Sequence, residues 1–300
     1  MGAPDVIVVG AATRDLTEED PRGWFLGGGV TFSALALARL GLRIGLIIGL
    51  DPTARGAREV ELIREAGAEI IEVPLDKGPI FINDESGPER VQTVMSTSDR
   101  IPTSVVPDAW RAASTWMLTP IASEIGPEWM AVPSPDACVA FAWQGELRVL
   151  ADGAIVRPKL PGPSAFLARC DIVALSRHDL PMDFDLTTIG AWTKPRCDVL
   201  LTAGLAGGIL LHFEDGRIVG GRAYPSVPSR VEIDPVGAGD TMLAGVVAAR
   251  VAASAGDVRL GRDLRLGAAI SALLVEGVGI DSVPTLAQLG ERIGDDVRLS

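Results

Sequence analysis

The run DPVGAGDTMLAG, Asp234 to Gly245, decides how the rest of the chain is read. Gly237, Ala238 and Gly239 stand between two aspartates, and an apolar, alanine-rich stretch begins directly after Asp240. This pattern predicts a helix over 238–255 with a turn almost bare of side chains at its mouth. The first amides of a helix have no internal partners, and the dipole makes that end positive. Glycines let an anion approach those amides closely. A carboxylate on the first turn, Asp240, is then placed to take a proton from a hydroxyl that attacks a phosphoryl group, while the amides of Gly237, Ala238 and Gly239 stabilise the transferred group. The same residues equally suit a plain N-terminal cap over a tight turn.

Outward from this stretch, strands and helices alternate. DVIVV (5–9) is continuous and β-branched, as a strand buried on both faces would be. Residues 10–28 are rich in Gly, Asp and Glu and read as loop. A helix over 30–41 stops at Gly41, a strand covers 43–49, and an amphipathic helix covers 54–69 with Gly67 at its end. Residues 78–100 read as a hairpin around a Ser-Gly-Pro turn. Further strands are expected at 115–119, 137–143, 171–175 and 197–204, and a second hairpin at 207–221. Helices at 238–255, about 262–276 and about 285–294 close the chain. The alternation predicts an α/β fold with a mostly parallel sheet covered by helices, built as one domain over 1–300.

Composition narrows the function. With 27 Lys and Arg against 39 Asp and Glu, the net charge is −12, which disfavours nucleic acid and anionic membrane as partners. Three well-separated cysteines, Cys138, Cys170 and Cys197, argue against a disulfide framework or a zinc site, and two histidines cannot build a His-rich metal centre. The N-terminus has neither a signal-peptide pattern nor a spanning apolar run, so a cytoplasmic protein is expected. No GxxxxGK[ST], GxGxxG or GxSxG motif is present.

Four further features carry chemistry. In LLTAGLAGG, Thr202, Gly204 and Gly207 follow an apolar strand and offer a hydroxyl and a tight turn suited to nucleotide phosphates, or an ordinary strand-end loop. Gly27, Gly28 and Gly29 precede the first helix. Asp15 stands in the early loop as a candidate ligand for hydroxyls. In ACVAFAWQGELRVL, Gln144 falls at the C-terminal end of a strand, where open α/β sheets bind ligands. Gln144 there could read hydroxyls and Arg148 could meet phosphate; a polar turn with a solvated arginine fits equally.

Taken in order, Gly10 and Asp15, Gly27-Gly28, Thr202-x-Gly204-x-x-Gly207 and Asp234-x-x-Gly237-Ala238-Gly239-Asp240 resemble the ribokinase-like (PfkB) carbohydrate kinase family over nearly the whole chain. Gln144-Gly145-x-x-Arg148 and the GGxVT start are similar to the branch that includes inositol kinases. The resemblance implies a three-layer α/β/α sandwich with a small β lid, its lid elements near 11–28 and 78–100. It implies transfer of the ATP γ-phosphate to a hydroxyl of a polyol or sugar. Asp240 would be the base and Gly237 to Gly239 the anion hole. Thr202, Gly204 and Gly207 would hold ATP, and Asp15, Gly27 and Gly28 the acceptor. Mg²⁺ would bridge the phosphates, with a monovalent cation such as K⁺ beside them. In the family, lid strands often pair between subunits, which implies a homodimer.

The chain departs from the family pattern in four places. The N-x-x-E motif is replaced by Ser176-Arg177-His178-Asp179, so Asp179 would stand in for the glutamate and act on Mg²⁺ indirectly. Phe32 replaces an asparagine at the start of the first helix. Asp15 and Gly27 are only 12 positions apart, which implies a reduced lid that leans on the 80–95 hairpin. Met242 replaces a phenylalanine. A nucleoside kinase and a non-catalytic relative that binds a ligand as a sensor or interaction protein are the alternatives.

Overall fold

A computed structural model describes residues 3–84, 91–254 and 263–294. The elements in chain order are β1 (Val6–Ala11), β2 (Thr13–Leu16), β3 (Trp24–Gly27), α1 (Gly29–Arg39), β4 (Ile44–Leu50), α2 (Arg58–Glu65) and β5 (Glu69–Pro74). Next come β6 (Ile80–Asp84), β7 (Val91–Ser96), β8 (Thr115–Leu118), β9 (Cys138–Ala142), β10 (Arg148–Val149), β11 (Ala154–Ile155), β12 (Arg157–Pro158) and β13 (Ile172–Ser176). The C-terminal part holds β14 (Arg196–Thr202), β15 (Gly208–Glu214), β16 (Arg217–Tyr224), α3 (Ala238–Ser254), α4 (Asp263–Leu274) and α5 (Leu286–Ile293).

The main sheet runs β16-β15-β14-β13-β9-β8-β1-β4-β5. Pairing is parallel from β14 through to β5, and β15 runs against both of its neighbours, β14 and β16. The strand order reverses at β1, with β4 on one side and β8 on the other. A crevice at the C-terminal ends of the strands is the consequence of such a reversal. β1 shows why its sequence reads as an unbroken apolar run: Val6 and Val8 enter the core under the α-helices, while Ile7, Val9 and Ala11 enter the core on the opposite face.

The two faces are covered differently. The α-helices all lie on the first face, where α1, α3 and α4 supply most of the packing residues. The second face is closed by short 3-10 turns and loops carrying Trp110, Trp129, Phe166 and Ile189. Trp129 donates its indole N–H to the Ile101 carbonyl at 2.9 Å, so its bulk is buried with its polar atom satisfied. The second covering layer is thus built from single turns rather than α-helices. The segments after β8 and β9 are broken by prolines and glycines, which favour single turns over helices. The three cysteines are free thiols, with Cys138 pushed to about 11 and Cys197 to about 12, both chiefly by burial.

A second sheet of short strands, β11-β7-β6-β2-β3, stands over the C-terminal end of the first. Reading residues 10–28 as loop was wrong. Two four-residue strands pair there antiparallel, from Thr13↔Gly27 to Leu16↔Trp24. Acidic and glycine residues of the intervening turn, where Gly23 N–H donates to the Asp20 carbonyl, hid them. β2 then pairs in parallel with β6, and β11 adds to β7. The turn expected at 86–88 lies outside the described residues. Two ion pairs tie this sheet to the body: Arg14 to the buried Asp51 after β4 at 2.8 Å, and Arg22 to Glu59 on α2 at 2.6 Å.

One buried carboxylate organises the crevice from below. Glu124 is 0% exposed and accepts from the amides of Ala11, Ile121 and Ala122 at 2.7 to 3.1 Å. It thus joins the end of β1 to the loop after β8. Replacing it leaves three buried donors unpaired. Glu124→Leu is expected to cost about 3 kcal/mol of unfolding free energy in urea, and Glu124→Gln distinctly less.

Candidate active site

The crevice brings together residues that lie far apart in the sequence. Its wall includes Asp15 from β2, Gly28 before α1, Gln144 and Arg148 after β9, Asp179 after β13, Thr202 at the end of β14, and Gly237, Gly239 and Asp240 at the mouth of α3. Apart from Asp15, they come from the C-terminal ends of parallel strands, from the segments that follow those ends, or from a helix start. Among the sequence candidates, Gly27, Ala238, Gly204 and Gly207 do not line this crevice.

The glycine run before α1 serves three purposes. A Cβ on Gly27 would strike the Asp15 carboxylate, which lies across it and accepts from the Thr13 hydroxyl at 3.2 Å. Gly28 has φ +92°, the left-handed turn that lets the chain leave β3 and enter the helix. A Cβ on Gly29 would fall within 2.5 Å of Asp240 Oδ1, so the carboxylate rests directly on the first residue of α1. Sequence reading placed Gly27 and Gly28 on the acceptor and gave Gly29 no role. The contact with Asp240 could not be seen without the fold.

The opposite contact is reciprocal. Phe32 packs its ring where Gly237 has no side chain, and Gly237 has φ +83°. Phe32 is thus the floor beneath the turn. Within the turn the Ala238 amide donates to the Pro235 carbonyl at 3.2 Å. Ala238 therefore corrects the expected three-amide hole: its N–H is turned into the chain, and Gly237 and Gly239 are the glycines that face the crevice. The turn is braced further. The Thr241 hydroxyl reaches the Gly237 carbonyl at 3.1 Å, and the Ser271 hydroxyl from α4 reaches the Ala238 carbonyl at 2.8 Å. Asp234, the first acid of the motif, accepts from the amides of Val236 at 2.9 Å and Gly279 at 3.2 Å.

Asp240 sits at the positive ends of two helices, α1 and α3, yet loss of water dominates its ionisation. Burial pushes its carboxyl up to about 6, against a lowering pull from the Arg148 guanidinium. Arg148 also donates to the Gln92 side-chain carbonyl at 2.9 Å, and Gln92 donates to Asn83 Oδ1 at 2.9 Å. Gln92 lines the crevice and was missed in the sequence, where nothing marks one polar residue of a hairpin. Gln144 is set by its neighbour: a Cβ on Gly145 would collide with the Pro120 carbonyl, next to the loop that Glu124 holds. Asp179 is partly committed, since its Oδ2 accepts from the Ser176 amide at 3.1 Å in a capping box. Trp143 is core and faces Trp192 edge-on at 6.4 Å. His212 pairs with Asp198 at 2.7 Å, and His178 is exposed beside Ser176.

A second pocket opens from the first and shares Thr202, Pro235 and Gly239 with it. Gly204 and Gly207 lie on its rim, and its lining is mostly apolar, with Leu205, Val227, Met242, Ala268, Ala272 and Val275 beside Ser226, Ser229, Glu232 and Ser271. Such a slot suits a flat heteroaromatic group. Gly207 has φ +83°, and a Cβ there would strike the Tyr224 carbonyl. Among the described residues no group of three or more His, Cys, Asp or Glu could hold a metal ion. None of the described helices is long and apolar enough to cross a membrane.

Residues 161–286 match the family model described as pfkB family carbohydrate kinase, a span that holds Asp179, Thr202 and the Asp240 turn. No curated protein matches the sequence. A pyrophosphate-dependent kinase in the ribokinase family, solved with a pyrophosphate analogue and myo-inositol, superposes with TM-score 0.71 at 15% identity, covering 92% of this chain and 98% of that one. Arabidopsis thaliana ribokinase, solved with ribose and ATP, gives TM-score 0.68 at 18% identity and covers 99% and 100%. The nucleoside kinase of Methanocaldococcus jannaschii gives 0.65 at 15%, covering 97% and 99%. At these identities the likeness is one of fold.

The raised carboxyl has a sign that can be checked. A folded-state pKa above the unfolded value means that ionising Asp240 costs stability as pH rises from about 3.8 to about 6. Asp240→Asn is expected to unfold like the wild type near pH 3.5 and at a higher temperature above pH 6.5, by about 1–2 kcal/mol after allowing for solvent screening. Melting curves of both proteins across this range measure it.

Proposed function

We propose that this chain, a ribokinase-like member of the pfkB carbohydrate kinases and so a phosphotransferase acting on a hydroxyl, uses ATP to phosphorylate a small polyol or sugar, with Asp240 as the base. The observation that carries the reading is the Asp240 carboxylate, held on Gly29 at the meeting point of two helix N-termini and desolvated to a pKa of about 6. Near neutral pH such a group is ionised yet more basic than a solvated aspartate, which suits removal of a hydroxyl proton as the bond to phosphorus forms. The chain works as one domain over 1–300, with the small sheet as its lid.

The residues fit the roles by position. Asp15 and Gln144 orient acceptor hydroxyls, and Gly28 gives the acceptor a close approach to the backbone. Gly237 and Gly239 present backbone where the transferred group would develop charge. Thr202, Gly204 and Gly207 border the donor, whose base would fill the apolar second pocket. ATP would supply the γ-phosphoryl group, and Mg²⁺, when bound, would supply charge neutralisation. With no protein cluster for the ion among the described residues, the phosphates and water would carry it, with the remaining Asp179 oxygen acting through water. The apolar slot favours ATP over pyrophosphate, which would leave it unfilled.

The outer face of the lid supports a homodimer. Phe81 and Val94 point to the body, while Ile82, Met95 and Ile155 are exposed. A second copy covering this apolar face would also protect its strands.

Three measurements test these statements. Asp240→Asn is expected to lower kcat about 10³-fold with the KM for ATP nearly unchanged; residual kcat within tenfold of wild type removes the base assignment. In a panel of polyols, sugars and nucleosides, ATP is expected to support at least roughly tenfold faster turnover than pyrophosphate, and the reverse ratio reassigns the donor. Light scattering is expected to give twice the chain mass, and half of it for Ile82→Glu with Ile155→Glu.

A further inference from the structure

Arg148 is the cation of the crevice, and its platform is slight. It lies on β10, a two-residue strand paired only with Arg157–Pro158. An arginine side chain loses about 2 kcal/mol of rotamer freedom when fixed, so its direction depends on what it touches. One of its partners is on the lid. Asn83 and Gln92 face one another across the β6–β7 hairpin. Gln92 spends its amide N–H on Asn83 Oδ1, which turns its carbonyl oxygen to Arg148 Nη1 at 2.9 Å.

We propose that Gln92 is a positioning residue: its side-chain carbonyl fixes the Arg148 guanidinium in the crevice and so makes the strength of the base at Asp240 depend on the seating of the lid. The inference rests on the reading of Asp240 as base. Gln92 is neutral, and this matters. A glutamate in its place would also hold the guanidinium but would cancel its charge. The amide holds Arg148 and leaves its field intact. Among the described residues, Asp15 from β2, Asp179 after β13 and Arg148 are the charged side chains that line the crevice with Asp240. The helix α1 packs against it with Gly29, Phe32 and Ser33, none of them charged. Of these three charges Arg148 alone favours the carboxylate, so its placement decides how far the effect of burial is offset.

The test is a carboxyl ¹³C titration of Asp240, assigned by its loss in Asp240→Asn, in wild type, Gln92→Met, Arg148→Met and the double variant. Gln92→Met is expected to raise the midpoint by roughly half a unit, and Arg148→Met by more. In the Arg148→Met background, Gln92→Met is expected to add nothing, because it acts only through Arg148. An unchanged midpoint in Gln92→Met, or a shift of full size in both backgrounds, overturns the proposal. The acid limb of kcat/KM is expected to move with the midpoints. The titration needs no turnover, so the two readings fail separately. A shifted midpoint in a protein without kinase activity would retain the positioning role and discard the base. Full activity with no shift would do the opposite.

Discussion

Two helices begin at the same point, and each leaves out a side chain to admit the other's. Gly29 of α1 makes room for the carboxylate of Asp240, and Gly237 before α3 makes room for the ring of Phe32. This interlock depends on helices α1 and α3 lying in one layer on the sheet with their N-termini together. It fixes the turn and the acid as one rigid unit, and pairs two positive helix ends without any lysine or arginine in either. Much else in the molecule serves to hold it: Asp234 staples the turn to the loop after α4, Ser271 and Thr241 brace its carbonyls, and Glu124 seats the opposite wall.

On the proposed reading of the crevice, this arrangement reconciles a place for phosphate with a net charge of −12. Its acids are spread over the surface in pairs, such as Asp5 with Arg43 and Glu276 with Arg292. At the crevice the attraction comes from backbone and from Arg148, over short distances where the net charge counts for little. Burial of Asp240 has the same economy. The neighbours that exclude water from it are the same ones that position it.

The sequence made the architecture legible because β1, β4 and β13 are nearly continuous apolar runs, α2 is amphipathic and α1 ends at a glycine. The turn at Gly237–Asp240 was readable for a local reason, since glycines and an acid at a helix start have few other uses together. What could not be read were contacts across elements. Nothing near Gly29 announces Asp240, nothing near Gln92 announces Arg148, and Ala238 looks identical to its glycine neighbours until the Pro235 carbonyl claims its amide. The strands at Thr13–Leu16 and Trp24–Gly27 were hidden because four residues carry too short a period, and because their stability comes from β6, distant in sequence. The 3-10 layer escaped for a similar reason, as single turns leave no periodic trace.

That layer gives the molecule an optical asymmetry. Trp110, Trp116, Trp129 and Trp143 all belong to the core on the face away from the α-helices, and none of them lines the crevice. Trp192 packs against the same core, and Trp24 alone of the six indoles belongs to the core under the α-helices, so intrinsic fluorescence is weighted heavily toward one half of the protein. Loosening of the turn-built layer would change the emission while the helical half stayed intact, and a ligand in the crevice would leave these four indoles nearly silent.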